Sequence, residues 1–112
     1  MSLKLFFTDY NEDNHIRSDE AKPANLAQII ECLKTRLKDE DNFVGLIDGN
    51  DVMLQFMVEE GGQLSVDVPI NDRKGSFTKA ADLKGCIEIV ESLGRTIAVD
   101  NIDGLEFKAW GR

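Results

Sequence analysis

Phe43-Val44-Gly45-Leu46-Ile47-Asp48-Gly49-Asn50-Asp51-Val52-Met53-Leu54-Gln55-Phe56-Met57-Val58-Glu59-Glu60-Gly61-Gly62-Gln63-Leu64-Ser65-Val66-Asp67-Val68-Pro69-Ile70 alternates apolar runs with turn residues. Phe43 to Ile47 is apolar apart from Gly45, and Asp48-Gly49-Asn50-Asp51 then supplies residues that tolerate positive φ. Val52, Leu54, Phe56 and Val58 recur with period two, as one face of a second strand does. Glu60-Gly61-Gly62-Gln63 makes the next hairpin turn, and Leu64, Val66, Val68 and Ile70 line one face of a third strand. The stretch therefore reads as an antiparallel three-strand meander. Pro69 cannot donate to a ladder, which places the end of the third strand at an edge or terminus.

Working toward the amino terminus, Leu3, Leu5 and Phe7 alternate with Lys4, Phe6 and Thr8, predicting a strand over residues 3–8. Residues 9–22 are acidic and poor in apolar side chains, which predicts a solvated loop. Pro23 suits the first turn of a helix over 24–38, where Leu26, Ile29, Ile30, Leu33 and Leu37 make one stripe and Lys34, Arg36 and Lys38 complement the terminal carbonyls. Toward the carboxyl terminus, residues 71–76 read as a loop and Thr78 as the N-cap of a helix over 79–93. Its stripe is Leu83, Cys86, Ile87, Val90 and Leu93, with Glu88 and Glu91 outward and Gly94 at its end. Short strands are expected at 96–99 and 105–110. The order β-α-β-β-β-α-β-β implies a single α+β domain over residues 1–112: one mostly antiparallel sheet containing the meander, with two helices packed on it.

The chain's 112 residues suit one domain with one core, and 42% hydrophobic against 30% charged side chains excludes wholly disordered, collagenous and disulfide-scaffold classes. No apolar run reaches the ~20 residues of a membrane helix, and the amino terminus lacks the pattern of a secretory signal, so a cytoplasmic location is expected. A formal charge of −8 repels phosphate backbones and anionic lipid, making nucleic acid and membrane poor partners, while it steers encounter with a basic protein. The same charge also serves solubility.

No constellation for catalysis is present in the sequence, so a non-enzymatic chain is expected. His15 stands alone in the acidic segment. Cys32 and Cys86 are far apart with no Cys-x-x-Cys pair, and read as reduced, semi-buried thiols with no zinc site. Asp100 and Asp103 miss the calcium-loop pattern because Ile102 stands where an oxygen ligand belongs, so neither metal nor cofactor is expected.

Two features suggest a contact surface instead. Met53 and Met57 share the strand face opposite Leu54 and Phe56; that face is either covered, as in a central strand packed on both sides, or open to a partner. In the last strand Trp110 shares a face with Glu106 and Lys108, either as a binding anchor or folded back over a core edge.

The striped helix, Val44-Gly45-Leu46-Ile47-Asp48, Val52-Met53-Leu54-Gln55-Phe56, Glu59-Glu60-Gly61-Gly62-Gln63, Leu64-Ser65-Val66-Asp67-Val68 and the closing helix resemble the small immunity proteins of bacterial polymorphic toxin systems, the first-numbered Imm family most closely. The resemblance covers roughly residues 24–93. It implies binding and stoichiometric inhibition of a cognate toxin domain, often a nuclease or nucleic-acid deaminase, by occlusion of its active site. In that role Asp48, Asp51, Glu59, Glu60 and Asp67 would meet a basic groove, with Met53, Met57 and Trp110 as apolar anchors. The alternative is a small homodimeric structural or ligand-binding domain that self-associates through the Met53 face.

Overall fold

The computed structural model describes residues 3–110. Strands β1 (Leu3–Asp9), β2 (Asn14–Ile16) and β3 (Lys22–Ala24) precede helix α1 (Leu26–Arg36). The meander β4 (Phe43–Ile47), β5 (Met53–Val58) and β6 (Leu64–Ile70) follows, then β7 (Gly75–Ala81), helix α2 (Leu83–Leu93) and β8 (Glu106–Ala109). The strands form one antiparallel sheet in the order β2-β1-β4-β5-β6-β7-β8, with β3 pairing β1 beside β2. This is the expected α+β architecture, and the meander lies where its periodicity put it.

Both helices lie on one side of the sheet. Ile29 and Leu33 of α1 and Cys86 and Val90 of α2 share a core with Val44, Leu46, Leu54, Phe56, Val66 and Val68. Four of these sheet residues, Leu54, Phe56, Val66 and Val68, come from the period-two rows, and all six are fully buried. Pro69 lies beyond the last residue of β6 paired to β5, which is Asp67, so its missing N–H leaves no gap on that side.

Four sequence expectations are corrected. Residues 9–22 are not simply a loop: Asn14–Ile16 and Lys22–Ala24 add two short strands along β1, separated by a 3-10 turn at Ser18–Glu20. Pro23 therefore sits in an edge strand, opposite Lys4, rather than in a helix. The helix begins after Asn25, whose Oδ1 accepts the Gln28 N–H while Gln28 Oε1 accepts the Asn25 N–H, both at 2.8 Å. That reciprocal capping box outcompetes the proline preference.

Thr78 is not a helix cap. It lies inside β7, opposite Asp67, and its hydroxyl donates to the Val66 carbonyl at 2.9 Å. Residues 75–81 extend the meander by a strand because their ladder with β6 overrides the helical propensity of Lys79-Ala80-Ala81. Asp82 caps α2 instead, accepting the Gly85 N–H at 2.7 Å. Residues 96–99 form no strand: Ile97 is held by a side chain, and a 3-10 turn follows at Val99–Asn101.

Candidate protein-binding face

Because strand side chains alternate, the buried rows on the helix side leave a second set of rows on the other side. One row runs Phe6, Gly45, Gln55, Asp67, Thr78, Glu106 across β1, β4, β5, β6, β7 and β8. Beside it lie Phe43, Met57 and Ser65, and on the other flank Ile47 and Met53. Neither helix covers this face, and Phe43, Ile47, Met53, Gln55 and Met57 are all half-buried.

Gly45 shapes the face at its centre. A Cβ built there would lie 2.0 Å from Phe6 Cζ, so the absent side chain is the space in which the Phe6 ring lies. Phe6 is consequently 4% exposed on an otherwise uncovered face. It meets Phe43 edge to face, with ring centroids 6.3 Å apart. Around this pair runs a cleft of about 280 Å³ bounded by Phe6, Thr8, Phe43, Met53, Gln55 and the Ile16–Ser18 segment.

Asp67 is the carboxylate set among these apolar groups. Partial burial raises its pKa from the ordinary value; the Ser76 hydroxyl acts against that shift and the charge of Glu59 adds to it. Glu59 stands close by through Ser65, whose hydroxyl donates to Glu59 Oε2 at 2.6 Å. At the far side of the sheet the Trp110 indole N–H donates to Ser76 Oγ at 2.9 Å, while the residue stays 47% exposed. The hydrogen bond pins the indole against the sheet without burying it.

Of the residues singled out from sequence, Met53, Met57, Asp67 and Trp110 share this face, with Glu59 at its margin. Asp51 and Glu60 are exposed at turns on opposite ends of β5. Asp48 departs from the expectation. It is 4% exposed; its Oδ1 accepts the N–H groups of Asn50 and Val52 at 2.9 Å, and its Oδ2 accepts that of Ile97. Both oxygens are committed to the fold, so Asp48 leaves the set of carboxylates offered to a partner.

Sequence reasoning placed Gln55 between the two methionines on this face but overlooked Phe6 and Phe43. The signal was an apolar residue on the polar phase of the first strand, next to a glycine on its neighbour. It also overlooked a buried polar corner. Asp9 accepts from Arg36 Nη1 at 3.0 Å and from Asn42 Nδ2 at 2.9 Å, and Asn42 Oδ1 accepts the Tyr10 N–H at 2.8 Å. Burial pushes the Asp9 pKa up, but the hydrogen bonds from Arg36, the Glu12 N–H and Asn42, together with the Arg36 charge, outweigh it and hold the carboxyl below its ordinary value.

Among the described residues no group of three or more His, Cys, Asp or Glu side chains converges as a metal site, and no helix is long and apolar enough to cross a membrane. Comparison of the chain with protein-family models, curated proteins and solved structures gives no significant match.

Proposed function

We propose that the chain is a non-catalytic binding protein that covers a basic protein surface with the open face of its sheet, inhibiting its partner stoichiometrically as immunity proteins do their toxins. The observation that carries this reading is the one-sided sheet: two helices cover one face, while the other presents Phe43, Met53, Gln55 and Met57 half-buried beside Asp67. Unbranched methionines repack against varied surfaces, and a contiguous apolar patch edged by polar groups is what a protein interface desolvates. The net charge of −8 favours a basic partner, with Glu59, Glu60 and Asp51 steering the encounter. A nuclease or nucleic-acid deaminase toxin, whose substrate groove must attract phosphates, has the complementary charge. On this reading inhibition is occlusion in the cytoplasm, with no turnover and no cofactor.

The test is co-purification of tagged protein from its source at low salt, with the Met53→Asp/Met57→Asp variant beside it. The reading requires one basic protein at equal stoichiometry, inactive in the complex, released and active at high salt, and not retained by the folded variant. Retention indifferent to the two methionine substitutions, or no basic protein at low salt, overturns it. A second reading, a ligand-binding domain, is favoured by the cleft beside Phe6 and Met53; a small molecule carried through purification in native mass spectrometry would support it.

A further inference from the structure

The two edges of the sheet differ. On one, β2 and β3 share the side of β1, interrupted by the Ser18–Glu20 turn and carrying Pro23, so that edge offers no continuous ladder. On the other, β8 is four regular residues, Glu106-Phe107-Lys108-Ala109, paired among the described residues only to β7. The Trp110 N–H donates to the Lys74 carbonyl at 2.8 Å, continuing the same register past the end of the strand. Backbone groups alternate in direction along an antiparallel strand, so residues 106, 108 and 110 turn theirs toward β7. Those of Leu105, Phe107 and Ala109 point outward from the edge.

We infer that β8 is a self-association edge, pairing antiparallel with β8 of a second copy of this chain about a two-fold axis at Phe107. The side chains choose that register. With Phe107 opposite the partner's Phe107, outward-pointing N–H and C=O groups meet their counterparts at Phe107 and between Leu105 and Ala109. Glu106 then stands opposite the partner's Lys108, and Lys108 opposite the partner's Glu106. These are non-hydrogen-bonded positions, where facing side chains come closest. Moving the axis by one residue keeps the backbone groups in phase but sets Glu106 against Glu106, or Lys108 against Lys108. Both charged residues are exposed and lie on the open face, as does Trp110, whose indole the register carries toward the partner's Gly104 turn. A two-fold contact must be self-complementary, and the Glu-Phe-Lys order about Phe107 satisfies that condition.

Sedimentation across a concentration series, with charge-exchanged variants, tests the inference. The wild-type chain is expected to dimerise reversibly. Glu106→Lys alone and Lys108→Glu alone should each weaken the dimer roughly tenfold or more, because both cross-strand pairs become repulsive. The double exchange Glu106→Lys/Lys108→Glu restores the opposed charges and should restore the dimer, and an equimolar mixture of the two single variants should form a heterodimer. A wild-type chain that stays monomeric at every concentration overturns the inference. So does a dimer indifferent to either single exchange, or failure of the mixture to associate. A dimer broken by Met53→Asp but not by the charge exchanges places self-association on the open face instead and also overturns it. Because both substituted positions are exposed, retained circular dichroism shows that loss of dimer is not loss of fold.

Discussion

Asp48 and Ile97 are joined by a hydrogen bond of 2.8 Å from the Ile97 backbone N–H to Asp48 Oδ2, tying the first turn of the meander to the segment after α2. The other carboxylate oxygen closes its own turn on Asn50 and Val52. Asp48→Ala strips the acceptor from all three N–H groups, and hydrogen bonds to a charged group are worth about 1.5–3 kcal/mol each. Because the freed N–H groups at the exposed turn regain water, the three contributions do not simply add; a loss of about 3 kcal/mol or more in urea unfolding is expected, with a smaller loss for Asp48→Asn, which keeps one acceptor oxygen. The exposed Asp51→Asn should change stability by less than about 0.5 kcal/mol.

Gly45→Ala forces its methyl into the Phe6 ring, whose retreat is limited by the Phe43 ring packed edge to face against it. Overpacking of this kind costs about 1–3 kcal/mol. In a Phe6→Leu background the same substitution should cost at least about 1 kcal/mol less, a coupling that a double-mutant cycle of denaturation midpoints would register.

Acid should expose the Asp9 corner. The folded-state pKa of Asp9 lies below the ordinary 3.8, so the stability its charge contributes is complete above that value and is lost as pH falls through the folded pKa. Asp9→Asn removes this titration. The wild-type chain should lose stability more steeply than the variant below about pH 4, and equal slopes would show that the corner does not contribute.

Asp67 has the opposite sign. Its raised pKa means that folding favours the protonated form, so its contribution is fully present below the ordinary 3.8 and lost as pH rises through the folded value. At pH 7 the charged side chain is therefore a cost, discounted because it is partly solvated. Asp67→Asn should raise thermal stability at neutral pH by less than about 1 kcal/mol while weakening capture of a basic partner. A variant that loses stability at neutral pH would contradict the sign.

Burial pushes the thiols of Cys32 and Cys86 up to about 11, and both are enclosed by the core. An aromatic disulfide reagent at pH 8 should leave the native protein unmodified and titrate both thiols in denaturant. Sub-denaturing urea, which populates opened states, should accelerate the reaction.

The meander was legible because Leu54, Phe56, Val66 and Val68 keep strict alternation, and alternation on a half-buried sheet has no competing reading. Lys79-Ala80-Ala81 misled because residues of helical propensity had been recruited to a strand by pairing with Leu64–Val66, a contact that no local window contains. The start of α1 was misplaced because Pro23 suits a first helical turn, whereas the reciprocal bonds of Asn25 and Gln28 set it. On the face, Met53 and Met57 were visible through their phase. Asp48 looked like its exposed neighbours because only Ile97, far along the chain, reveals what its second oxygen does.

The strand order carries a kinetic consequence. From β4 to β7 every strand pairs with its immediate successor through a short reversal, so this part of the sheet can grow by adding hairpins, each closing a small loop. The seam between β1 and β4 is different: Lys4 must find Ile47 across two short strands and a helix. That closure carries the larger entropic penalty and lowers relative folding speed, since mean sequence separation of contacts sets the rate. During synthesis β1 can pair with β2 and β3 as soon as they emerge, but its other edge waits for β4, so Phe6 lacks the Gly45 space in which its ring lies for that interval.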